Sequence, residues 1–211
     1  MKNKVAVIGS GLSGITIASL IKKKNNVEIF EKSRDVGGRM STRKEPPFTF
    51  DHGAQFFKIK TNEFQNFVSE LVTEKIIRPW NFRLAYFDGN NLEKIKIIKN
   101  EDKFFVGTPN MDSIVKYKAK NCKVILNTKI EKILKKNDKW YLSDQNKKKY
   151  GNYDWIILSL PAEQSFQLIT QEISFYSFLA KIKMNSCISL MIGMNEELHL
   201  NYDAALIEKE D

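Results

Sequence analysis

The chain has 211 residues, 42% of them hydrophobic and 28% charged, which supports a folded core of one or two domains and excludes disordered and collagen-like classes. A net charge of +9 invites a nucleic-acid reading, but only five of the basic side chains are Arg and the chain also carries 18 Asn. The Lys excess therefore follows the base composition of the gene, as a solvated surface, and no nucleic-acid partner is expected.

Cys122 and Cys187 each lie in an apolar segment, with no CxxC and no Cys/His ligand spacing in the chain. They read as buried, reduced thiols of a cytoplasmic protein, with no disulfide and no metal. The N-terminal run after Lys2 and Lys4 is apolar enough to suggest a signal peptide, but three glycines at fixed spacing and the lack of a small-residue cleavage site argue against one. No membrane association is expected.

In chain order, Val5 to Ile8 is a short continuous apolar run, as in a strand buried on both faces of a parallel sheet. Leu12 to Ile21 repeats apolar residues at helical spacing, and Val27 to Phe30 forms a second strand that stops at Glu31. Strand, Gly-rich turn, helix and strand make a βαβ unit. A polar stretch from Ser41 to Pro47 precedes the extended FTFDHGAQFF, and Phe64, Phe67, Val68, Leu71 and Val72 form a helical packing stripe. Residues 80–107 read as short strands with a turn at Asp88-Gly89, Met111 to Ala119 as a helix, and VILNTKIEKILKK with KWYLSD as two or three hairpin strands. Trp155 to Leu160 reads as a further parallel strand, Gln164 to Ile169 as a helix and Cys187 to Met194 as a strand. Trp80, Trp140 and Trp155 are expected in the core.

Three motifs carry chemistry. Gly9-Ser10-Gly11-Leu12-Ser13-Gly14 follows a strand and opens a helix, so its glycines permit a tight turn, close approach to a pyrophosphate and close helix–strand packing. The helix N-terminus offers unpaired N–H groups to the phosphates. Glu31, at the end of the second strand, can accept both hydroxyls of an adenosine ribose and would repel a 2′-phosphate. The second motif, Gly37-Gly38-Arg39-Met40-Ser41-Thr42, passes close to a ligand anchored by the first, and Arg39 can pair with its pyrophosphate. The third, Asp51-His52-Gly53-Ala54-Gln55-Phe56-Phe57, supplies small residues, an amide and aromatics suited to a flat ring.

Together these motifs resemble the flavin-containing amine oxidase superfamily, and the third resembles its renalase group. FVGTPNMDSIVKY, WIILSLPAEQ and KMNSCISLMIG resemble family segments in the same order. The resemblance implies an α/β fold: a Rossmann-like FAD-binding domain with a β-meander, at 1–61 and 108–162, plus an interleaved, incomplete α+β substrate domain at 62–107 and 163–211. It implies FAD as cofactor, with Gly9, Gly11, Ser13 and Gly14 on the pyrophosphate, Glu31 on the ribose and Arg39 on the pyrophosphate side of the flavin. Ile130 would meet adenine through its backbone, and Leu12, Lys32, Gly38, Met40, Gly53 and Ala54 would line the same site. Gln55 and Phe56 would sit beside the isoalloxazine, with His52 as a further flavin-proximal candidate.

The activity implied is oxidation of 2- and 6-dihydro isomers of NAD(P)H to NAD(P)+, with reoxidation by O2 to hydrogen peroxide. Such hydride loss leaves an aromatic ring and needs no nucleophile, in keeping with a chain whose histidines are only His52 and His199. An FAD-dependent amine oxidase-type enzyme and a truncated, non-catalytic dinucleotide-binding protein are the alternatives. No match to the superfamily's C-terminal Gly-Asp segment follows Ile192, so the chain is expected to be the N-terminal two thirds of a longer protein.

Overall fold

The structure is a computed structural model and describes residues 2–208. Two compact units are formed, each discontinuous: Met1–Thr42 with Val115–Ser189, and Arg43–Ile114 with Leu190–Asp211. Segments 43–61 and 108–114 thus group with the second unit and 163–189 with the first, unlike the expected boundaries. Backbone pairing explains part of the shift, because Phe57–Lys58 is a strand against Phe104–Gly107.

The first unit is built on β1 (Asn3–Ile8), α1 (Leu12–Ile21) and β2 (Asn25–Phe30). A parallel four-stranded sheet runs in the order Lys123–Ile125, β2, β1, Trp155–Leu158. Alternate side chains of β1 feed two cores: Val5 and Val7 pack with Ile15, Ala18 and Val115, while Ala6 and Ile8 pack with Ile130, Ile133, Leu142 and Tyr153. The expected strand buried on both faces is therefore found. The second core belongs to an antiparallel meander of Ile130–Lys136, Lys139–Asp144 and Lys149–Tyr153. Burying each such large aliphatic side chain contributes about 1.5–3 kcal/mol. At the C-terminal end of α1, the Ile21 carbonyl accepts from the Lys24 amide at 3.1 Å and from Asn25 Nδ2 at 3.0 Å, which closes the last turn.

In the second unit, Phe82–Asp88 and Asn91–Ile98 form the expected hairpin, and Ala204–Glu208 pairs parallel to the first of them. Arg83 clamps the returning chain through Nε and Nη2, at 3.1 and 2.9 Å from the two carboxylate oxygens of Asp203. The helix Asn62–Thr73 starts at Thr61, whose hydroxyl accepts from Phe64 N at 3.2 Å, and it buries Val68 and Leu71. Val72, read as part of that stripe, is 43% exposed because it points off the buried face. The helix expected over Met111 to Ala119 spans Asp112–Ala119.

Four further expectations are corrected. Cys187 to Met194 is not a strand: it joins no sheet, and Ile188 is 94% exposed. Cys187 is accordingly exposed rather than buried, whereas Cys122 packs partly into the first core; neither forms a disulfide. Trp155 is 63% exposed because its strand lies at the edge of the parallel sheet. The helix read at Gln164 to Ile169 sits earlier, at Ala162–Phe166, directly after Pro161, which is its N-cap. The residues after Glu208 lie outside the described range. Among the described residues no helix is long and apolar enough to cross a membrane, and no group of three His, Cys, Asp or Glu could hold a metal ion.

Candidate functional site

The C-terminal ends of β1, β2 and Trp155–Leu158 lie side by side. After β1 the chain turns to β2 on one side, while the strand on its other side arrives from far along the sequence. Open parallel sheets bind ligands at such a reversal of strand order, and here a cavity of about 1050 Å³ opens there.

Ten of the expected cofactor residues line this cavity: Gly9, Gly11, Leu12, Ser13, Glu31, Lys32, Gly38, Arg39, Met40 and Ile130. Gly14 stands behind it, in the helix–strand contact. A Cβ on Gly14 would lie 2.0 Å from the carbonyl oxygen of Gly9, so only glycine lets α1 pack this closely on the turn. Gly38 has φ +57°, and a Cβ there would lie 3.0 Å from Gly11 Cα. The second Gly-rich loop is thus laid directly on the first, and the amide of Gly37 donates to the Ser10 carbonyl at 3.2 Å. No side chain caps α1, whose first amides open beside the cavity with the positive end of the helix dipole.

Glu31 is the buried charge of the site. Its Oε2 accepts from both the amide (2.9 Å) and the hydroxyl (2.8 Å) of Ser10, and its Oε1 accepts from the Ser33 amide at 2.8 Å. Burial alone would raise its pKa, but the Ser10 and Ser33 amides, aided by both serine side chains, more than offset that and hold it below the usual carboxylate range. An anionic acceptor is therefore fixed at the end of β2. Lys32, next along, reaches Gln164 Oε1 at 3.5 Å.

Gly53, Ala54, Gln55, Phe56 and His52 belong to the second unit. The Phe56 ring there lies 5.3 Å from Trp80, 5.6 Å from Phe104 and 6.1 Å from Phe82, and it stays 38% exposed. Trp80 stacks on Phe82 with ring centroids 3.8 Å apart. Asp51 accepts from the Met111 amide, tying this segment to the start of the helix Asp112–Ala119.

Missed from sequence were Ser10, buried behind the cavity as a side-chain partner of Glu31, and three lining residues: Thr128 before the meander, and Leu160 and Gln164 after the edge strand. Leu160 ends the continuous apolar run before Pro161 and Gln164 follows it, and the rule that ligands bind beyond the C-terminal ends of parallel strands could have found both.

Fold and cavity together define a protein built on a Rossmann-like α/β fold, and residues 7–71 match the family model for an NAD(P)-binding Rossmann-like domain. The chain is similar to renalase of Mus musculus, 30% identical over 178 residues, which cover 79% of this chain and 49% of that protein. A 51-residue stretch of the chain is also similar to a 4,4′-diapophytoene desaturase (4,4′-diaponeurosporene-forming) of Staphylococcus aureus, at 49% identity, covering 24% of this chain and 10% of that one. Among solved structures, a CLA-producing fatty acid isomerase from P. acnes superposes with a TM-score of 0.67 at 10% identity, over 83% of this chain and 63% of that chain, a likeness of fold. The chain spans about half the length of mouse renalase. The renalase-like resemblance and the Rossmann-like fold expected from the motifs are both borne out.

Proposed function

We propose that this chain binds FAD in the cavity at the ends of β1 and β2 and forms part of a renalase-like FAD-dependent oxidoreductase acting on 2- and 6-dihydro isomers of NAD(P)H. The observation that carries the reading is the convergence of ten expected cofactor residues, from four separate stretches at 9–13, 31–32, 38–40 and 130, on one cavity. The donor set fits the group. A helix N-terminus and Arg39 suit a pyrophosphate, Glu31 suits a ribose without a 2′-phosphate, and the Gly38–Gly11 approach leaves the loop backbones open to the ligand.

When bound, FAD supplies a two-electron acceptor that takes the hydride of a dihydropyridine and passes both electrons to oxygen as hydrogen peroxide. The chain's own residues then bind and orient. The amides of Leu12 and Ser13 and the guanidinium of Arg39 neutralise the phosphates, and Glu31 fixes the adenosine end. Ile130, 5% exposed in the second core, offers an apolar wall and backbone to the base. Gln55, Phe56 and His52 are flavin-facing candidates on the resemblance alone. Expelling hydride as the ring becomes aromatic calls on no general base, so orientation is the protein's main contribution.

Purified protein supplied with FAD tests this. A yellow protein bleached by 6-dihydro-NAD and recoloured by oxygen is the expected result. Bleaching by amines and not by the dihydronicotinamide isomer would favour an amine oxidase-type enzyme. Failure of the protein to take up flavin would favour a non-catalytic dinucleotide-binding protein.

A further inference from the structure

The carboxylate of Glu31 is already almost fully used. Three donors reach it within hydrogen-bonding distance: the amide and hydroxyl of Ser10 on Oε2 and the amide of Ser33 on Oε1. A carboxylate offers about four acceptor sites, two on each oxygen. Ser10 is 0% exposed, so its hydroxyl has no water to turn to and stays on Oε2, while Glu31, 7% exposed, still lines the cavity. The Ser33 residue, by contrast, is exposed, and its hydroxyl is a donor that a ligand can displace.

We infer that Ser10 is a positioning residue that saturates Oε2 of Glu31, leaving Oε1 to accept from only one of the two ribose hydroxyls of an adenosine ligand. This rests on the dinucleotide-binding reading and sharpens it. The middle residue of the first Gly-x-Gly, which needs no side chain for the turn, decides how many ribose contacts the acidic residue can make. An alanine at that place would release one acceptor site on Oε2 and let Glu31 engage both hydroxyls.

The test compares binding of ADP, 2′-deoxy-ADP and 3′-deoxy-ADP by calorimetry on the wild-type protein and on Ser10→Ala and Ser10→Thr. One hydrogen bond to a charged acceptor corresponds to about 10- to 100-fold in affinity. In the wild type, one deoxy analogue is expected to lose at least about tenfold against ADP and the other less than about twofold. Ser10→Ala should narrow that asymmetry to within about threefold by giving the second hydroxyl a partner, and Ser10→Thr, which keeps the hydroxyl, should restore it. Equal losses for both analogues in the wild type, or an asymmetry unchanged in Ser10→Ala, would overturn the inference. If Ser10→Ala does not fold, the wild-type comparison alone decides. Absence of any ADP binding would instead remove the dinucleotide reading itself, and this inference with it.

Discussion

Tyr153, at the end of the meander, donates its phenol hydrogen to Glu28 of β2 at 2.5 Å, joining the two sheets of the first unit across 125 positions of sequence. The Tyr153 ring is buried at 1% exposure, and Lys4 Nζ sits 4.6 Å above its centroid and 3.8 Å from Glu28. Lys123 supplies a second donor to the same carboxylate at 2.5 Å. Burial, and then the bond to Glu28, push the Tyr153 pKa well up, so the phenol stays a donor at any ordinary pH. Tyr153→Phe keeps the ring and removes only this bond. We expect a loss of about 1–3 kcal/mol in denaturant unfolding, the range for a hydrogen bond to a charged partner that leaves that partner under-satisfied. An unchanged midpoint would show that the Lys residues alone hold Glu28.

Acid should weaken the first unit through the same group and through Glu31. Burial acts to raise both pKa values, but hydrogen bonds to Lys123 and Tyr153 at Glu28, and to Ser10 and Ser33 at Glu31, bring both below the ordinary carboxylate value. A folded pKa below the unfolded one means stability that is complete above the unfolded value and is lost as pH falls through the folded one. Thermal midpoints should therefore hold from neutrality down to the ordinary carboxylate range and drop below it. Glu28→Gln should flatten that acid limb, and an equally steep limb in the variant would contradict the assignment.

Gly14→Ala tests the packing beneath the cavity. The added Cβ would meet the Gly9 carbonyl at 2.0 Å, so helix and turn must separate. We expect a cost of about 1–3 kcal/mol in stability, as for other overpacked sites, together with loss of ADP binding as the turn moves. Retention of both would mean that the contact is softer than the geometry implies.

Arg39→Gln should weaken FAD binding by about 10- to 100-fold, in line with loss of a charge-assisted contact to phosphate. The guanidinium is exposed at the cavity wall, so the wild-type affinity should also fall with added salt and that of the variant less so. Titrations at low and high ionic strength check both statements. A variant with wild-type affinity and salt dependence would remove Arg39 from the site.

The βαβ unit was legible because its signals are local: a continuous apolar run, glycines that a close helix–turn contact requires, and an acidic residue at the end of the next strand. Glu31 could be placed from spacing, but its saturation by Ser10 could not, since that depends on the depth at which both residues are buried. Leu160 and Gln164 reach the cavity only because a strand from late in the chain pairs with β1. The misread strand at Cys187 to Met194 shows the opposite limit. An apolar run announces a strand only if another segment supplies its ladder, and none does among the described residues. Trp155 failed for the same reason, because composition does not tell a central strand from an edge.

The central claim is that the cavity at the ends of β1 and β2 holds the adenosine diphosphate half of FAD. Calorimetric titration of the protein with FAD, with NADP+ as competitor, tests it most directly. The account predicts stoichiometric binding of FAD that Glu31→Ala weakens by about 10- to 100-fold, with no displacement by NADP+, whose 2′-phosphate the Glu31 carboxylate repels. Tighter binding of NADP+ than of FAD, or FAD binding indifferent to Glu31→Ala, would contradict it.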